Sequence, residues 1–596
     1  MKKKLSDLIR SSNYDVYRIL KNSEELPSAR TMLLLYLTNC ELAVEGTRQS
    51  LHSLEICLIR ECIMAFRNML KPRSERLAQF SVLQCLYDAV YNQQQKFDYP
   101  ITRAFLEEMR HLLRGITGRV KLYNMKTAPQ YLYENGREAA IGRSSDLDSL
   151  GEYTWSYINR YASGLDTDVK KRRAANRKRI LKYFKGKPED WRNYKWHLRH
   201  VIRDSETLGA LVTLTKQEKA AIDLAVKNNV PFGVTPYYAT LIDVEPSRAY
   251  DHAVRAQVIP PLDYVEKIIE GRQRGDSSLD FMLEYDTSPI DHVTRRYPLI
   301  VVLKPYNSCA QICVYCQRNW EIEHVLCDHA TISNEKLEAA LNWLKQRPVI
   351  REVLVTGGDP FILGDAYLDR LMGSLSAISH IERIRIGTRT PVVLPQRITT
   401  KLVNIMGKYS KPGHREVCLV THYEHVYEIT EESIETIERF RRKGIAVFNQ
   451  LVFTLETSRR FESAALRRLL RLIGVIPYYT FNTKGKEETK KYRVPIARLL
   501  QEQKEEARLL TGVMRTDEAV YNVPGLGKNY LRAGQHHSLI SVLPDGSRVY
   551  EFHPWEKKIA LADTFVTRDV PIYDYLQDLK RRGENIKDYE SIWFYF

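Results

Sequence analysis

Between residues 299 and 481 the chain alternates short apolar, β-rich runs with longer stretches whose apolar residues return at helical spacing. The runs fall at 299–303, 352–356, 381–386, 417–421, 445–450 and 476–481, and the helical patterns between them at 334–345, 365–378, 400–409, 431–443 and 459–472. Strands joined by helical crossovers lie parallel, so six of them predict a parallel sheet curling toward a barrel. In such barrels the chemistry sits where strands end and loops begin. Each predicted strand here ends in a polar or glycine-rich signature: a cysteine loop, Thr356-Gly-Gly-Asp-Pro360, Gly387-Thr-Arg-Thr390, Thr421-His-Tyr-Glu-His425, Asn449-Gln450 and Asn482-Thr-Lys484. The fold class read from this pattern is α/β, a partial (β/α)6 barrel.

The cysteine loop reads Cys309-Ala-Gln-Ile-Cys313-Val-Tyr-Cys316. Three thiolates at this spacing, with no fourth in the same pattern, suit three irons of a [4Fe–4S] cluster and leave the fourth iron open to a small molecule. The alternative is a zinc site completed by His324 or Cys327, since zinc also takes three cysteines with a histidine, or four cysteines. Small zinc modules usually bring two paired ligand sets, and no second CxxC occurs in the sequence.

The loop resembles that of the radical S-adenosylmethionine (SAM) enzymes. A closer resemblance is to the lysine 2,3-aminomutase family of radical SAM enzymes dependent on pyridoxal 5′-phosphate (PLP), with substrate-pocket residues nearest those of glutamate 2,3-aminomutase. It is carried by Trp196-His-Leu-Arg-His200, Thr235-Pro-Tyr-Tyr238, Leu241-Ile-Asp243, Arg295-Arg-Tyr-Pro298, the cysteine loop, Gly357-Gly-Asp-Pro360, the stretch from Gly387 to Arg397, Thr421-His422 and Pro524-Gly-Leu-Gly-Lys528. These run in family order from about residue 190 to 530. The resemblance implies that Cys309, Cys313 and Cys316 hold the cluster, and that Gly357, Gly358, Asp359, Arg389 and His422 bind SAM. It implies that Arg296, Tyr297, Arg397 and Gln450 surround PLP, with Arg397 on its phosphate, and that Lys528 carries PLP as a Schiff base. Glycines 525 and 527 would let that lysine swing aside when the substrate amine arrives. The family has four glycines before this lysine, and here the loop is one residue shorter. Taken alone, Pro-Gly-Leu-Gly-Lys is an ordinary turn, and Asn529 stands where a phosphate-binding P-loop needs Ser or Thr.

The resemblance also places Arg318 on the substrate α-carboxylate, a role that suits a guanidinium fork. Lys484 and Asn522 fall where the lysine enzymes have two aspartates that hold the distal ammonium. A cation beside an amide offers an ammonium no counter-charge, so the pair suits a side-chain carboxylate. The expected function is therefore an isomerase that moves the α-amino group of L-glutamate to C3. Lysine or arginine as substrate is an alternative, as is a radical SAM enzyme that acts on protein or nucleic acid through the basic N-terminal half. The family also implies a free amino acid as partner, an electron donor such as flavodoxin or ferredoxin, and a homo-oligomer.

The remaining chain reads as residues 1–165, a helical N-terminal domain without a catalytic constellation; 166–290, a basic linker and helical family region; 291–500, the barrel; and 501–596, a C-terminal region with the PLP lysine and an oligomerisation role. Cys40, Cys57, Cys62 and Cys85 lie on N-terminal apolar stripes at no metal-ligand spacing and are expected to be buried free thiols. The net charge of +17 is conspicuous in the stretch 170–187. Few aromatics are interleaved there, which argues against a stacking platform for single-stranded nucleic acid. No apolar run follows the basic start Met1-Lys-Lys-Lys4, and the run 32–37 is far too short to span a bilayer. Nine cysteines without a disulfide pattern fit a reducing cytoplasm.

Overall fold

The computed structural model describes residues 2–46, 53–91, 97–120, 122, 133–246, 249–275, 279–483, 485–534, 536–553 and 564–596. They form two compact units, one of residues 154–492 with 510–528, the other of residues 1–153, 493–509 and 529–596.

The first unit is built on one sheet whose strands follow chain order. A short β1 (Val293–Thr294) pairs antiparallel with β2 (Ile300–Tyr306). The next strands, β3 (Glu352–Gly357), β4 (Arg383–Gly387), β5 (Glu416–Thr421), β6 (Ala446–Phe453), β7 (Ile476–Asn482) and β8 (Glu518–Val523), are each parallel to the one before. The sheet curls into a partial barrel. All six predicted strands are present, and β8 adds a seventh parallel strand outside the predicted run. The short β9 (Gly527–Tyr530) follows it, and its first two residues, Gly527 and Lys528, belong to this unit. Burial alternates along β3 and β6, so Glu352, Leu354 and Thr356, and Phe448, Gln450 and Val452, face the half-open interior while their neighbours pack outward.

Helix α1 (Thr167–Tyr183) precedes the sheet, and α2 (Asn334–Lys345), α3 (Asp365–Ser376), α4 (Thr400–Lys408), α5 (Glu431–Arg442) and α6 (Glu462–Ile473) cross between strands. Their ends follow local chemistry. Ser333 caps α2, a Thr430–Ser433 capping box starts α5, and Gly474, at φ +88°, stops α6 in the left-handed region that glycine tolerates. The fifth predicted helical pattern begins at Glu462 rather than 459, because Phe461 takes a left-handed conformation just before it. The basic stretch is the helix α1, and part of its charge is used within the unit: Lys170 pairs with Glu431 at 3.0 Å, Arg173 with Glu432 at 3.2 Å and Arg172 with Asp243 at 3.3 Å.

The second unit combines N-terminal helices with an antiparallel sheet of β10 (His537–Val542), β11 (Arg548–Phe552) and β12 (Phe565–Arg568). Within it, Arg548 on β11 is buried and donates to both oxygens of Glu108, at 3.0–3.2 Å. Cys62 and Cys85 are buried as expected, but Cys40 is half-buried and Cys57 is exposed, because it lies off the buried stripe of its helix, Ser53–Met69. Among the described residues no helix is long and apolar enough to cross a membrane.

Candidate active site

The cysteine loop leaves β2 and is held from below by the end of β3. Gly358 donates its amide to Tyr306 O at 2.8 Å, and Asp359 donates to Ser308 O at 2.9 Å. A Cβ on Gly358 would overlap the Ser308 backbone, and one on Gly357, at φ +111°, would press on Tyr306 O. These glycines therefore first serve the close approach of two backbones, and through it fix where the thiols stand. Cys309, Cys313 and Cys316 are all half-buried. Arg389 donates through Nη1 to Cys313 Sγ at 2.8 Å, and the Arg318 amide donates to Cys316 Sγ at 3.4 Å. Burial pushes the Cys313 thiol up to about 11, with Arg389 pulling the other way, and pushes Cys309 well above its ordinary value.

Asp359 and Arg389 tie neighbouring strand ends together. The buried Asp359 carboxylate accepts from Phe361 N (3.1 Å), Thr388 Oγ1 (2.7 Å), Arg389 N (2.9 Å) and Thr390 Oγ1 (2.9 Å). It is thus consumed in joining the β3 turn to the β4 turn, and burial raises its pKa. Arg389 donates to His422 O at 3.1 Å, to Glu428 at 2.6 Å and to Gln257. Glu428 in turn accepts from Tyr238 Oη at 2.6 Å and from the amide of Glu424 at 2.6 Å. The Thr-Pro-Tyr-Tyr stretch thus supplies a phenol that orients the arginine's carboxylate. The half-buried His422 ring approaches Glu424 with Nδ1 at 3.5 Å.

Lys528 stands at the other end of the sheet. Its amide donates to Tyr297 Oη at 2.7 Å, and its ammonium lies 5.3 Å from the Tyr297 ring, 5.0 Å from Tyr479 and 5.9 Å from Phe481. Gly527, at φ +100°, is required here, because a Cβ would overlap the Tyr297 phenol. Burial first, then the positive charges of Arg385 and Arg296, bring the Lys528 ammonium down to about 8. Its amine is therefore available as a nucleophile near neutral pH. Gln450 pairs in register with Tyr479, and Asn522 shares by alternation the face of Val520, which pairs with Phe481. Both belong to the Lys528 side of the interior. Lys484 lies outside the described residues.

Arg397 is placed differently from its neighbours in the expected set. It is buried on the turn after β3, donating to Phe361 O at 2.7 Å and Leu363 O at 2.8 Å and pairing with Asp365 at 2.8 Å. The interior arginine that acts on Lys528 from β4 is Arg385, which pairs with Glu352 at 2.5 Å and donates to Tyr478 Oη at 3.2 Å. Its signal was present in the alternation Arg383-Ile-Arg385-Ile, which puts two cations on one face of a strand.

Arg296 and Arg318 converge on a residue that no periodicity marked, the buried Glu284. Arg318 Nη1 donates to it at 2.6 Å, and Arg296 pairs with it at 3.1 Å and Lys304 at 3.3 Å. Arg318 also pairs with Glu321. Burial would raise the Glu284 carboxyl, but these cations outweigh it and hold it well below the usual carboxylate range. The Nε atoms of Arg296 and Arg318 are both buried without a hydrogen-bond acceptor. Two such donors on neighbouring guanidiniums are left available to an anionic group.

A second cluster, also unmarked in the sequence, joins His252, His425 and Glu462. Tyr427 N donates to His425 Nδ1 at 3.2 Å, which leaves Nε2 protonated and donating to Glu462 at 3.1 Å. Arg459 lies 2.7 Å from Glu462 and 2.9 Å from His252. The guanidinium already supplies the positive charge there.

Residues 303–467 match the family model for the Radical SAM superfamily. The chain is similar to a KamA family protein of Methanocaldococcus jannaschii, 42% identical over 98% of this chain and 96% of the relative. It is also similar to glutamate 2,3-aminomutase of Clostridioides difficile, 32% identical over 69% of this chain and 90% of that protein, and to L-lysine 2,3-aminomutase of Methanococcus maripaludis, 33% identical over 54% and 72%. Radical SAM proteins use a [4Fe–4S] cluster, SAM and a reductant, and the aminomutases among these relatives also use PLP. The donor sets fit these groups: three half-buried thiols with a guanidinium on one sulfur, a lysine amine lowered by burial, and two guanidinium donors that lack an acceptor.

Proposed function

Because the chain belongs to the KamA family of radical SAM proteins, we propose that it is a PLP-dependent 2,3-aminomutase, an isomerase, for a free acidic amino acid, with L-glutamate favoured. The observation that carries the reaction class is Lys528: a lysine amine brought down to about 8, held among three aromatic rings on the same unit as the cysteine loop. In this reading Cys309, Cys313 and Cys316 hold the cluster, and Gly357, Gly358, Arg389 and His422 frame the SAM site, with Asp359 bracing the two turns. Lys528 holds the cofactor's aldehyde carbon, and Tyr297, Gln450 and Arg296 surround it. Arg397, whose Nη1 donor is buried without an acceptor, is assigned to the PLP phosphate. When bound, the cluster and SAM supply a hydrogen-abstracting radical, and PLP supplies the carrier on which nitrogen moves.

The chain's own groups do the rest. Arg318 orients the substrate α-carboxylate, and the Tyr297 phenol fixes the backbone from which the Lys528 amine swings. The rings of Tyr479 and Phe481 exclude water. Glutamate is favoured because Asn522 and Lys484 offer a distal ammonium no negative charge. A cytoplasmic, homo-oligomeric enzyme served by flavodoxin or ferredoxin completes the reading.

The test is anaerobic turnover with SAM, PLP and a reductant, offering L-glutamate, L-lysine and L-arginine in turn. β-Glutamate is the expected product, with lysine discriminated against by up to about 10⁴ because polar groups built for a carboxylate would be left unpaired. A higher kcat/KM for lysine or arginine would overturn the substrate assignment.

A further inference from the structure

We propose that Glu284 is a positioning residue that couples the two ligand-binding arginines, holding Arg318 for the substrate carboxylate and Arg296 for the cofactor; the inference rests on the reading given above. Its carboxylate has five partners from three segments of the chain. Oε2 accepts from Arg318 at 2.6 Å, from Thr294 at 3.2 Å and from Lys304 at 3.3 Å, while Oε1 accepts from Gln317 at 3.2 Å and pairs with Arg296 at 3.1 Å. Those partners come from the region of β1, from β2 and from the residues just after Cys316, so one carboxylate ties the PLP side to the cysteine loop.

Five partners make Glu284 a lock rather than a placeholder that an incoming carboxylate pushes aside. Displacing it would strand Arg318, Arg296 and Lys304 together in a buried space, at a cost no single ligand carboxylate offsets. The charge balance agrees. Three cations face two carboxylates, Glu284 and Glu321, which leaves one positive charge, the amount one substrate α-carboxylate neutralises. Glu284 takes up an η nitrogen of each arginine and leaves both Nε donors without an acceptor, so each guanidinium is anchored and still able to bind. Glu284 reaches this position through a tight turn in which Leu283 adopts φ +52°, uncommon for a leucine, and the Tyr285 amide is held by Asp280 at 3.1 Å.

The experiment titrates the reconstituted protein with PLP and then with L-glutamate, reading the visible absorbance of the lysine-bound cofactor and its change when the amino acid takes the lysine's place. Glu284→Gln is expected to raise the apparent Kd for both by at least about tenfold. In an Arg318→Gln background the same change should add less than about twofold for L-glutamate, and in an Arg296→Gln background less than about twofold for PLP, because coupled residues are not additive. Undiminished effects in both backgrounds would mean a general loss of structure and would overturn the proposal. So would wild-type affinities in Glu284→Gln. Should that variant not fold, Glu284→Asp keeps the charge but is one methylene short; it should weaken at least one ligand by about threefold or more, and wild-type binding of both by that variant overturns the proposal. A wild-type protein that takes up neither PLP nor L-glutamate overturns the aminomutase reading and this inference with it. A wild type that takes up both, with Glu284→Gln alike, overturns this inference alone.

Discussion

At the ends of β3 and β4, Asp359 and Arg389 are satisfied within the protein, whereas near β1 and β2 Arg296 and Arg318 are not. Asp359 accepts four hydrogen bonds, and Arg389 spans Cys313, His422 and Glu428. On the other side, Arg296 and Arg318 keep buried Nε donors without an acceptor, and the Lys528 ammonium is surrounded by rings rather than carboxylates. The first region is scaffold for a loop whose geometry must not change; the second is built to be completed by ligands. A network that closes on itself rigidifies, and one that stays open binds.

The sharpest way to break this comparison is to remove the thiols. Cys309→Ala, Cys313→Ala or Cys316→Ala should abolish cleavage of SAM to 5′-deoxyadenosine while leaving PLP uptake within about twofold, since the two regions share no ligand. Recovery of 5′-deoxyadenosine from the triple variant would contradict it. Next comes Lys528→Ala, which should eliminate the visible absorbance of attached PLP. If borohydride still fixed the cofactor and peptide mapping placed it on another lysine, the open region would lie elsewhere.

A third change strikes the scaffold without touching a polar group. Gly358→Ala puts a methyl group into the Ser308 backbone and should cost about 3 kcal/mol of unfolding free energy, with cluster content falling in parallel. Asp359→Asn should cost somewhat less, about 2 kcal/mol, because an amide turns two of its hydrogens toward groups that were donors to the carboxylate. Calorimetry of the reconstituted protein checks both, and a melting temperature unchanged in either would show that the closed network is dispensable. The smallest effect concerns pH. Lys528 reacts as the free amine, so the rate of PLP attachment should rise with pH through about 8 and level off above it. A rate still climbing toward 10 would place the lysine at its ordinary value and remove the role of burial and of Arg385.

Six strands and five crossover helices were legible because periods of two and of 3.6 are written into neighbouring residues, and the cysteine loop because its ligands lie within eight positions of one another. The strand β8 escaped because Glu518-Ala-Val-Tyr-Asn-Val follows a long insertion, and only pairing with β7 makes it part of the sheet. The functions of single polar residues were legible only by resemblance. Where the resemblance put Asp359 on a ligand, the tertiary structure surrounds it with protein partners, and it adds Glu284 and Arg385, whose partners lie far along the chain. The sequence by itself determined the order of elements, the thiols and the lysine, because these depend on residue type and local spacing. Which charges meet, which donors stay unpaired and how far an amine is lowered depend on burial and on contacts across the chain, and only the folded arrangement decided them.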